Sequence, residues 1–169
     1  MLPFSPATAA VLDHAREMLL GRGLTVLAAW ALLNLVVSGY LVRQADRRQE
    51  TYFFHGMNVC WGAINAALAC WGVLHLRFVA PAGLGLADLV REQLANENLF
   101  LLNAGLDAAY IMTGMYLWAL AAVPAQPAPA RLRGFGAALW VQGGFLLVFD
   151  AAMWSLLHWQ GGGWLLRLA

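Results

Sequence analysis

Lysine is missing from this chain of 169 residues, and all ten of its basic residues are arginine. Nine acids leave a formal net charge of +1. The chain therefore has no basic footprint for nucleic acid. Charged residues make up 11% of the chain, against about 25% in soluble domains, and apolar residues reach 62%, against about 45–50%. A soluble core cannot hide that much apolar surface, so the excess has to face lipid or a partner protein. Only two cysteines are present, Cys60 and Cys70. On one helix they sit about 15 Å apart, too far to bridge each other. Recognisable catalytic signatures are also lacking: the chain has no G-x-S-x-G, H-E-x-x-H or P-loop. Gly83-Leu84-Gly85 is followed by Asp88 and not by a third glycine, so it is no dinucleotide fingerprint. No catalytic residue, metal site or cofactor is assigned, and the chain reads as a non-enzyme.

What is present is four long apolar runs. A membrane-spanning helix needs roughly 20 mostly apolar residues, and stretches of about 23–42, 54–76, 99–123 and 136–159 qualify. All six prolines (Pro3, Pro6, Pro81, Pro124, Pro127, Pro129) fall outside them, as expected where backbone groups must satisfy one another. The pattern predicts an all-α fold, a four-transmembrane-helix bundle forming one membrane domain over 1–169. Residues 1–22 predict an amphipathic N-terminal segment, with Val11, Leu12, Ala15, Met18 and Leu19 on one face. Between spans two and three, Leu86, Leu89, Val90 and Leu94 oppose Asp88, Arg91 and Glu92, which predicts an interfacial helix. Arg43, Arg47, Arg48, Arg131 and Arg133 lie close to span ends in the first and third loops. This places those loops in the cytoplasm and both termini outside. Ala67–His75 and Asp150–His158 resemble each other (ALACWGVLH against DAAMWSLLH), a candidate internal repeat.

Each run carries polar residues in steps of three and four, which places them on one helix face. The candidate polar core or ion site comprises Asn34, Asn58, Asn65, Asn103, Asp107, Tyr110, Gln142 and Asp150. Lipid offers an amide or carboxylate no partner, so these faces should turn inward. Asp107 and Asp150 are the sharpest anomaly, because a mid-span carboxylate costs about 2.5–3.5 kcal/mol on insertion scales. No arginine or lysine lies inside any of the four runs. Counting about 1.5 Å per residue from the span ends puts the two acids at similar depth, where they can meet. Two readings stand side by side: a polar clamp that fixes helix register, or a proton or cation site. His75 and His158 close spans two and four at the same membrane face. They are weak candidates for axial haem ligands, against a plainer reading as interfacial histidines with polar tips among headgroups.

Trp30-Ala-Leu-Leu-Asn34, Phe54-His-Gly-Met-Asn58 with Trp61 and Asn65, Asn103-Ala-Gly-Leu-Asp107 with Tyr110, and Gln142-Gly143 with Phe149-Asp150 run through the chain. This pattern resembles an uncharacterised family of small four-helix bacterial integral membrane proteins with no assigned activity. The resemblance implies that these polar positions share one core, and it suggests a bacterial inner membrane. The functional expectation is a non-catalytic accessory or scaffold subunit of a membrane complex, or a homo-oligomer, with lipid and a membrane-protein partner around it. The alternative is a small proton- or cation-coupled carrier using Asp107 and Asp150. A haem-binding electron-transfer protein comes third.

Overall fold

The computed structural model describes residues 6–79 and 84–168, with side chains over 8–79 and 84–163. The described chain is all helix and turn. Helix α1 (Pro6–Leu33) passes through a π-helical turn (Asn34–Ser38) into α2 (Gly39–Gln44), making one continuous rod. Helices α3 (Glu50–Phe78), α4 (Leu86–Ala121) and α5 (Pro129–Leu168) follow. Pro6 and Pro129 each open a helix, where the missing N–H costs nothing. The first loop is tightened by Asp46, whose Oδ1 accepts the Arg48 N–H at 2.9 Å, a side-chain turn typical of Asp.

Three helices, not the four expected, are long and apolar enough to cross a membrane: Thr8–Gln44, Glu50–Phe78 and Pro129–Gly163. The expected span over 99–123 lies in α4. That helix has length to spare at 36 residues, but it is too polar. Asn103, Asp107, Thr113 and two tyrosines interrupt its apolar run. Two further expectations are corrected. The N-terminal amphipathic segment and the interfacial helix are not separate elements; each is the unbroken start of a long rod, α1 and α4 respectively. Neither apolar face lies flat. Leu12 and Leu89 are buried against the bundle while Val11 and Leu94 are exposed. Arg16, a charged residue of the same N-terminal stretch, is buried too. Ser5, a possible helix cap, lies outside the described residues.

Helix α5 is the centre of the bundle, packed along α4 on one side and against α3 and α1 on the other. The α4–α5 seam is close because of glycine: a Cβ on Gly114 would fall 2.7 Å from the Gly136 carbonyl oxygen, and one on Gly136 equally close to that of Gly114. Such small-residue seams let membrane helices approach backbone to backbone. Burial is inverted relative to a soluble protein. Gln142 is 0% and Asn65 1% exposed, whereas Val148 is 71% and Trp159 80% exposed. An apolar exterior around a polar interior is the arrangement lipid selects.

Candidate functional site

The eight residues expected to share one core separate into two groups. Gln142 organises the first. Its Nε2 donates to Asn34 Oδ1 at 2.8 Å and to Asn58 Oδ1 at 2.7 Å, and its Oε1 accepts Trp30 Nε1–H at 2.9 Å. Asn34 Nδ2 in turn donates to the Trp30 carbonyl at 2.8 Å. One amide thus joins α1, the π-helical turn, α3 and α5. Trp30 also stacks on Phe145, ring centroids 4.0 Å apart. Toward α2, His55 Nδ1 and Ser38 Oγ meet at 3.2 Å. The π-helical turn was not foreseen. It coincides with Asn34, in keeping with the concentration of such turns at special sites.

The second group lines a cleft. Among the described residues no Cα of helix α3 comes within 8 Å of a Cα of helix α4. The gap between them, backed by α5 and α1, is a cavity of about 410 Å³. Its walls are apolar, with Leu24, Leu68, Trp71, Leu99, Leu106 and Phe149 among them. Asn65, Asn96, Asn103, Asp107, Tyr110 and Asp150 supply its polar surface. Trp61 and Tyr110 reach across in an edge contact, centroids 5.0 Å apart. Asp107 and Asp150, 3% and 4% exposed, both line this cleft close enough to interact, and Asn103 lines it beside Asp150. Asp107 Oδ2 and Asn65 Nδ2 are buried with no partner in the protein. The two acids line one cleft, as their similar depths allow. Asn103 shares their stretch of the lining, whereas Asn34 and Gln142 belong to the other group.

A third polar cluster, missed in the sequence, closes the end of the bundle where α1 and α4 begin and α5 ends. Gln93 Nε2 donates to Glu97 Oε1 at 2.9 Å and to the Leu157 carbonyl, and His158 Nδ1 lies 3.0 Å from Glu97 Oε2. Buried Arg16 pairs with Asp13 at 2.7 Å and reaches Glu92 at 3.7 Å. The signal was available: Gln93 and Glu97 extend the Asn103–Asp107–Tyr110 stripe nearly three turns backward. Assigning that stretch to a separate interfacial helix hid it. The haem candidates are engaged separately, His158 with Glu97 and stacked on Trp154, His75 stacked on Trp71 at the cleft. The described residues hold no group of three or more His, Cys, Asp or Glu that could hold a metal ion.

Residues 26–151 match the model of a family of unknown function, DUF6992. The chain belongs to the DUF6992 family. No curated protein and no solved structure matches it. The stretch matched to DUF6992 contains all eight residues of both polar groups and leaves out Arg16 and His158.

Proposed function

We propose that this DUF6992 chain is a membrane-embedded, non-catalytic binding protein that takes a small amphiphile into the cleft between α3 and α4. The observation that carries the reading is the cleft itself: a mostly apolar cavity with a few convergent polar groups, the usual form of a small-molecule site, in which a buried carboxylate oxygen and an amide nitrogen lack partners. In this reading all four helices lie in the bilayer. Helix α4 accompanies α5, which covers its polar face. A scaffold or accessory role leaves the cleft with nothing to do, and the register-fixing task already falls to Gln142.

Leu68, Trp71 and His75 on α3 and Leu99 and Leu106 on α4 are exposed at the cleft. The ligand thus enters sideways from the acyl chains. Native mass spectrometry of protein extracted in mild detergent tests this. The wild type should carry, or take up from a total lipid extract, one small molecule per chain. Leu106→Trp and Leu68→Trp, which fill the cleft, should lose it. A wild type that carries no adduct and takes none from the extract overturns the reading.

A further inference from the structure

We infer that the ligand's polar head is an ammonium: the cleft is built for a lipophilic amine, held by Asp107, Asp150 and Asn103. This rests on the binding reading above and names its substrate class.

The argument is one of charge. Three carboxylate side chains are buried among the described residues: Glu97, Asp107 and Asp150. Glu97 has a basic partner in His158, and buried Arg16 has its own acids in Asp13 and Glu92. Among these buried acids, only Asp107 and Asp150 lie together and form no ion pair with a base. The groups lining its cleft that can carry charge are Asp107 and Tyr110 from α4, Asp150 from α5 and His75 from α3; α1 contributes only leucines. A buried acid without a counter-charge is costly. Asp107 Oδ2, buried at the cleft wall, has no donor in the protein. An ammonium brings the missing positive charge and up to three N–H donors, which Asp107 Oδ2, Asp150 and Asn103 can share. Trp61 and Tyr110, in the same lining, add aromatic rings of the kind that favour a cation. Asn65 does not choose between head groups, because its amide ends have the same shape and it can offer oxygen or N–H. A carboxylic acid head would add a third acid. An alcohol fills one hydrogen bond but brings no positive charge to favour the ionised pair. The amine's tail lies along Leu24, Leu68, Leu99 and Leu106 toward the lipid.

Three probes of equal tail length separate these heads: 11-bromoundecylamine, 11-bromoundecan-1-ol and 11-bromoundecanoic acid, each added to the full chain in nanodiscs. Bromine quenches tryptophan on contact, and lipid-facing tryptophans respond alike to all three tails. A saturable component specific to the amine therefore reports the cleft, where Trp61 and Trp71 stand. The amine should half-saturate at about one tenth or less of the alcohol's mole fraction in the bilayer. In Asp107→Asn/Asp150→Asn the amine and the alcohol should coincide. An alcohol or acid that equals the amine in the wild type overturns the ammonium and leaves the cleft reading standing, as does an amine preference that survives the double substitution. No saturable component with any head removes the cleft reading itself. If the double variant does not fold, the wild-type ratio alone decides.

Discussion

Two polar layers of this bundle lie about 12 Å apart along α5, eight residues from Gln142 to Asp150, yet they are built on opposite principles. Around Gln142 every donor and acceptor of the side chain is used, and four elements are tied through it. Around Asp150 the packing opens, two like groups are set against each other, and neighbouring polar atoms have no partner. A satisfied buried network specifies one arrangement of helices. An unsatisfied one carries a cost that only something outside the chain can offset. The comparison teaches that polarity inside a membrane bundle is not one signal but two, separated by whether the hydrogen bonds close.

Substitutions test that contrast, and the seam beneath both layers should respond most. Gly136→Leu forces α4 from α5 where a Cβ already has no room. It should lower stability by about 3 kcal/mol, read as unfolding in mixed micelles titrated with dodecyl sulfate. Gln142→Leu leaves Trp30, Asn34 and Asn58 without their partner and should cost about 2 kcal/mol in the same assay. At temperatures where it stays folded, it should leave the amine-probe midpoint unchanged. Asp107→Asn/Asp150→Asn should do the reverse, moving stability by less than about 1 kcal/mol while abolishing the amine preference. A double variant as unstable as Gln142→Leu would mean that the acids, too, are a clamp, and the contrast would collapse. His158→Ala, at a side chain 65% exposed, should shift stability by no more than about 0.5 kcal/mol. A larger loss would make the Glu97 cluster a third structural layer.

The helical class, the inward turn of the polar stripes and the meeting of Asp107 with Asp150 were legible because they follow from period and depth. Steps of three and four identify a face, and 1.5 Å per residue converts position into height. The same arithmetic could not say which inward residues touch. Gln142 meets Asn34 and Asn58 rather than the acids because of how α3 and α4 sit about α5, a rotation that no periodicity encodes. The cleft was invisible for a related reason, since it consists of contacts that two helices do not make. Helix α4 falls short of the expected fourth span by hydropathy because the residues that make it interesting, Asn103 and Asp107, are those that lower it. The two misplaced amphipathic helices share one cause: a run of polar and apolar residues reads alike whether it ends at the interface or continues as part of a longer rod.

The polarity of α4 also bears on how the chain is made. A helix carrying Asn103, Asp107 and Glu97 on one side enters hydrocarbon poorly alone, and only seven residues separate its end from the start of α5. The two segments should therefore leave the insertion machinery together as a hairpin, each glycine ridge already against the other. A chain halted after α4 would have its acids in oil with nothing to cover them, and it should be held back or degraded.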